Sequence, residues 1–180
     1  MRPASLWLMV TFVGCATTSP PPAPPPKPWR PDPGPVLRQA CQQDPVTCRL
    51  TAEKLASAWS TDDEAFGALK AFTAACEAGD APSCSVVDTR FKRPMLGSPA
   101  VFGSPVPRPS GSPSGTWRAT CDMSRGGKVT SCMPDPSNPP LRPGLQDLVK
   151  AHLEAPYSAA TLDGRPFGCP YVFEVEWWQQ

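Results

Sequence analysis

The chain has 180 residues, 27 of them proline and eight cysteine, with seventeen basic against sixteen acidic side chains. That length holds one ordinary domain or two small ones, and so much proline assigns a good part of it to spacer. The balanced charge, with no basic stripe, argues against nucleic acid as a partner and against charge-driven attraction to anionic lipid.

Met1-Arg2 and the apolar run Leu6–Val13 open the chain as a targeting signal over residues 1–14. The run is too short to span a bilayer, which takes about 20 apolar residues. "FVGC", ending at Cys15, resembles the lipobox of bacterial lipoproteins, with Phe12 where the family usually carries leucine. The resemblance implies a lipid on Cys15. With Ala16 next, and no aspartate, it implies a cell-envelope protein held at the outer membrane and facing the periplasm. The competing reading is an ordinary secretory signal followed by a chance cysteine.

Residues 15–35 are the anchor and a proline-rich spacer, "SPPPAPPPKPWRPDPGP" from Ser19. Proline fixes φ and donates no hydrogen bond, so an extended polyproline II segment is expected. Its reach is about 50 Å at about 3.1 Å per residue. A disordered spacer would serve the same mechanical purpose.

Residues 36–93 contain a repeat. "ACQQDPVTC" (Ala40–Cys48) echoes "ACEAGDAPSC" (Ala75–Cys84), 35 residues on at the first cysteine and 36 at the second. Such a period marks stacked helix pairs. Cys48, Ala52, Leu55 and Trp59 make one apolar stripe, and Ala65, Leu69, Phe72 and Cys76 make another behind a Thr61–Glu64 capping box. Gly79 suits a left-handed helix end, and Asp80 and Pro82 suit the next start, with Cys84, Val87 and Phe91 on one face. One cysteine of each unit falls in the last turn of a helix and the other in the first turn of the next. The expected disulfides are therefore Cys41–Cys48 and Cys76–Cys84, which export permits. The zinc alternative needs a closer cysteine spacing that the segment lacks. Over about 55 residues the pattern resembles the Sel-like, tetratricopeptide-related repeats of cysteine-rich bacterial proteins.

A second loose stretch, residues 94–115, separates this unit from residues 116–180, which read strand, strand, helix, strand. "TWRATCDMS" and "KVTSCM" form a hairpin. A two-residue Gly126-Gly127 turn of type I′ sets Cys121 opposite Cys132, within disulfide reach. Leu145, Leu148, Val149 and Leu153 stripe a helix that Pro156 stops. The closing run alternates, with Cys169, Tyr171, Phe173, Val175 and Trp177 on one face. The eighth cysteine, Cys169, is a free thiol, an intermolecular bridge, or a substitute partner for Cys121 or Cys132.

Asp122, Gly127 and Val129, then the helix, then Tyr157, Ala160, Gly164 and Pro166 resemble the C-terminal domain of the TonB family. Ala159 stands where that family carries proline. In such domains the last strand lies at a sheet edge and accepts an extended peptide. The resemblance thus implies that Tyr171, Val172, Phe173, Glu174, Val175 and Glu176 are a docking edge for an envelope protein or extended peptide. The plainer alternative is a strand that completes the core, with its glutamates guarding against aggregation.

The expected fold class is α+β: a disulfide-clasped helical repeat followed by a ββαβ domain. Catalytic signatures are sparse. His152 is the one histidine, with no nucleophile elbow, and Asp62, Asp63 and Glu64 read as helix-start acids. No cofactor, metal or catalytic residue is expected. The function anticipated is a non-enzymatic adaptor. The alternatives are a periplasmic hydrolase of peptidoglycan or β-lactams and a passive spacer.

Overall fold

The structure, a computed structural model, describes residues 29–97, 114–141 and 143–178. The signal segment, Cys15, the spacer up to residue 28 and the stretch 98–113 lie outside the described residues. Mixed helix and sheet, crossed by three disulfides, make an α+β fold.

Four helices come first: α1 (Pro35–Gln43), α2 (Pro45–Ala58), α3 (Asp62–Glu77) and α4 (Ala81–Arg90). Local chemistry sets their ends. Asp44 and Asp80 cap α2 and α4, each accepting the backbone N–H three residues on, from Thr47 and Ser83. Thr61 and Glu64 exchange a full capping box at the start of α3. Gly79 adopts φ +95° after α3, where its N–H donates to the Cys76 carbonyl and that of Asp80 to the Ala75 carbonyl, the paired bonds of a Schellman ending.

Cys41–Cys48 and Cys76–Cys84 then tie successive helix ends, with Cα atoms 5.5 and 4.7 Å apart. Helix α3 packs against the other three, and every residue from Ala71 to Cys76 is buried. Its many alanines let the neighbours approach closely, while Leu69 and Phe72 each contribute about 1.5–3 kcal/mol of apolar burial.

After α4 the chain forms two short strands, β1 (Phe91–Lys92) and β2 (Met95–Leu96). Next come β3 (Ser114–Met123), β4 (Val129–Pro134) and α5 (Pro143–Glu154). Then follow β5 (Tyr157–Ser158), β6 (Ala160–Leu162), β7 (Arg165–Phe167) and β8 (Cys169–Trp178). The main sheet is antiparallel in the order β4-β3-β8. Its inner face, Trp117, Ala119, Cys121, Met123, Phe173 and Val175, packs on Val149 and the other apolar residues of α5.

The segments that the sequence reading separates share one core. Ala160, Leu162, Phe167 and Cys169 join Ala52, Trp59, Leu69, Phe72 and Val87 of the helices in a continuous apolar cluster. Strand β6 pairs with both β1 and β7, and β5 pairs with β2. Phe91 therefore does not extend the helical face of Val87. It leaves the helix and pairs with Leu162. Pro94–Gly97, read as linker, is held: β2 pairs with β5, and the Gly97 N–H donates to the Pro156 carbonyl at 2.8 Å. Residues 29–34, read as spacer, are docked as well. Trp29 stacks on Phe167 at 6.3 Å between ring centroids and also meets Phe66 and Tyr171, and Pro33 is buried.

The β3–β4 turn departs from expectation in an instructive way. Only Gly127 has positive φ, +74°, and the Gly127 N–H donates to the Ser124 carbonyl while the Ser124 N–H donates to that of Lys128. The loop is thus three residues, Arg125 to Gly127, with the left-handed residue last. A bulge at Thr130 takes up the extra residue, so Cys121 still faces Cys132 and the two are bonded, Cα atoms 4.0 Å apart.

Candidate functional site: the outer edge of the last strand

Strand β8 has β3 on one side, and among the described residues no strand pairs with its other side. Which of its backbone groups point outward follows from Arg118 in β3. The Arg118 N–H donates to Asn138 Oδ1 at 2.8 Å, and its carbonyl accepts from the Asp135 N–H at 3.0 Å and from Asn138 Nδ2 at 2.6 Å. Both backbone groups of Arg118 are therefore spent on the β4 side.

Backbone direction alternates along an antiparallel strand, and the residue opposite shares the pairing type. Trp117 and Ala119 thus face β8 and bond to their opposites, Val175 and Phe173. Glu174, opposite Arg118, and Val172, opposite Thr120, direct N–H and C=O outward. Pro170 has the same outward parity, so its missing N–H costs the β3–β8 ladder nothing.

Side chains follow the same period. Phe173 and Val175 are buried, Tyr171 is half-buried, and Val172 is 52% exposed. Glu174 is also exposed, on the outer face, where its Oε1 accepts from Arg118 Nε at 2.8 Å. Glu176 has outward parity opposite Thr116, and its side chain lies outside the described set.

Beyond this edge lies a groove of about 540 Å³. Arg93 to Leu96 form one wall, Tyr171 to Glu174 the other, and His152 and Tyr157 complete it. Its lining is mainly apolar and aromatic. The His152 ring stands edge-on to Tyr157 and Phe173, 5.9 and 5.8 Å between centroids. The Tyr157 hydroxyl donates to the His152 carbonyl at 3.0 Å. Burial lowers the His152 pKa below the ordinary imidazole value and pushes the Tyr157 hydroxyl up to about 12, so both are neutral near pH 7. The arrangement offers shape, outward backbone groups, one carboxylate at Glu174 and one guanidinium at Arg93.

Of the residues singled out from sequence, Tyr171 to Glu174 are brought together on the groove, whereas Val175 is turned into the core. The six cysteines Cys41, Cys48, Cys76, Cys84, Cys121 and Cys132 form the three disulfides. Cys169 is a buried thiol in the shared core. Sequence reasoning missed the wall made by Arg93, Pro94, Met95 and Leu96. The adjacent apolar pair Met95-Leu96 was the available signal, one that Val101-Phe102 in the same stretch also gives.

Among the described residues, no helix is long and apolar enough to cross a membrane, and no three His, Cys, Asp or Glu residues cluster as a metal site requires. Compared with protein-family models, curated proteins and solved structures, the chain finds no match.

Proposed function

We propose that this chain is a non-enzymatic lipoprotein of the bacterial cell envelope that binds an extended segment of a partner protein by adding it as a fourth strand alongside β8. The observation that carries this reading is the outward parity of Val172 and Glu174 on an edge bordered by an apolar groove. Unpaired strand groups are a template for another strand: main-chain bonds supply affinity and alternate side chains supply selectivity. The resemblance to TonB-family domains points the same way. The lipobox-like "FVGC" supports an anchor on Cys15, and the disulfides suit an exported protein. The role proposed is passive docking on a tether.

The test is photocrosslinking in intact cells from a benzophenone side chain at Val172 or Glu174, with exposed Lys54 on α2 as the control position. Docking predicts capture of one envelope protein, through a single extended segment, from the two β8 positions and not from α2. Equal labelling from all three positions, or none from β8, would overturn it.

A further inference from the structure

The period-two geometry that exposes Val172 and Glu174 also dictates what a strand beside them must carry. We infer that the strand docked at β8 is a basic, apolar segment: an aliphatic residue facing Val172, an aliphatic or aromatic residue entering the groove opposite Phe173, and a lysine or arginine facing Glu174. This inference rests on the edge-docking reading and names the chemistry of the partner.

Residues of an added strand lying opposite Val172 and Glu174 share their outer face, and the residue between them points inward. The inward position meets Met95, Leu96 and Tyr157 across the groove, with Arg93 in the same wall. Val172 and Met95, 52% and 58% exposed, are two of the largest apolar surfaces left open around it, and covering them favours aliphatic neighbours.

Glu174, the one carboxylate of the lining, sets the sign of the charge at its own position on the outer face, whereas Arg93 lies in the facing wall. The Glu174 Oε1 meets Arg118 on the β3 side, and the outer side of the same carboxylate is where an added strand lies. A cation there completes an alternating row across three strands, whereas an anion directly opposite is repelled. The same residues weigh against a second copy of this chain. Antiparallel pairing of two β8 edges sets Glu174 against Glu174 or Glu176, against Trp178 with Glu176 then facing Glu176, against Val172 with Pro170 then facing Glu176, or against Pro170, which has no N–H to give. Each register loses a charge match or a ladder bond, so a strand of different sequence fits better.

The full oxidised chain is titrated, with amide shifts recorded by NMR, against blocked peptides whose threonine flanks enclose a symmetric core. Lysine-leucine-valine-leucine-lysine presents the same pattern in parallel and antiparallel alignment. Its controls carry glutamate for both lysines, or threonine for the three apolar residues. The expected result is shifts centred on the Val172 and Glu174 amides, with the lysine peptide binding about fivefold tighter than the glutamate peptide. Salt near 1 M reduces that ratio, and Glu174→Gln, which leaves Arg118 without its carboxylate, abolishes the preference for lysine. The threonine peptide binds more weakly than the lysine peptide.

Peptides that all shift β8 with equal affinity would overturn the inferred chemistry and leave edge docking intact. If no peptide shifts β8 at millimolar concentration, the docking reading itself fails, and the inference falls with it.

Discussion

Arg90, the last residue of α4, grips Asp163 in the turn between β6 and β7 with two hydrogen bonds, 2.9 Å from Nε and 2.6 Å from a terminal nitrogen, while its carbonyl accepts the Asp163 N–H at 2.9 Å. The clasped residues adjoin Phe91 and Leu162, which belong to the apolar cluster shared by the helices and the C-terminal strands. A shared core makes the two segments one cooperative unit. Urea unfolding of the oxidised protein is therefore expected to give coincident transitions by far-ultraviolet circular dichroism and tryptophan fluorescence. Arg90→Met lowers stability by about 1 kcal/mol, the range for a partly exposed bidentate pair. Two separated transitions would show instead that the segments fold independently.

The β3–β4 turn separates two neighbouring glycines sharply. A Cβ on Gly127, held at φ +74°, would run into the Tyr157 carbonyl, whereas one on Gly126 would meet nothing closer than Ser124 Oγ at 3.8 Å. Gly127→Ala is expected to cost about 2–4 kcal/mol, combining a left-handed penalty with displaced backbone. Gly126→Ala stays within about 1 kcal/mol. Denaturation midpoints of the two variants provide the comparison, and equal losses would contradict the close approach to Tyr157.

Cys169 is 4% exposed, and burial, reinforced by Asp62 and Asp122, pushes its thiol up to about 12. The thiolate is the reactive form, so Cys169 should resist iodoacetamide at pH 8 until the protein unfolds. Mass spectrometry of non-reduced digests should find Cys41–Cys48, Cys76–Cys84 and Cys121–Cys132 intact, with label on Cys169 only after denaturant. Rapid labelling of the native protein would contradict its place in the core.

Glu64 carries a pH dependence whose sign is fixed. The backbone N–H groups of Ser60 and Thr61, with the Ser60 hydroxyl, donate to its carboxylate and lower its pKa from 4.5 to about 2. A depressed folded value means that its contribution is full above pH about 4.5 and is lost as the pH falls towards about 2. Stability measured against pH should therefore fall across that window, and Glu64→Gln should flatten the fall. An unchanged acid limb in the variant would show that the capping carboxylate is not its source.

Local interactions were legible in the sequence, and distant pairings were not. The Thr61–Glu64 box, the Asp80 cap and the Gly79 ending depend on neighbours within a few residues, and each is readable from spacing alone. The Cys121–Cys132 register was reached through the wrong turn: a three-residue loop and a bulge at Thr130 cancel, leaving the alignment of a two-residue loop. Asp163-Gly164 is a hairpin turn with positive φ at both residues, yet its strands are three residues each and one contains Pro166, so the alternation that exposes hairpins is too short to see.

Phe91 opposite Leu162 and Trp29 against Phe167 join residues far apart in the chain, and no period records such contacts. The same holds for the candidate site. The alternation of β8 was visible, but the groove wall from Arg93 to Leu96 exists only because β2 pairs with β5.

Everything proposed for β8 depends on which of its amides face outward, and residue-resolved hydrogen exchange of the full oxidised chain measures that directly. Protected amides at Tyr171, Phe173 and Val175, alternating with fast exchange at Val172 and Glu174, are the predicted result. Val172 and Glu174 amides as strongly protected as that of Phe173 would contradict an available edge, and with it the docking function.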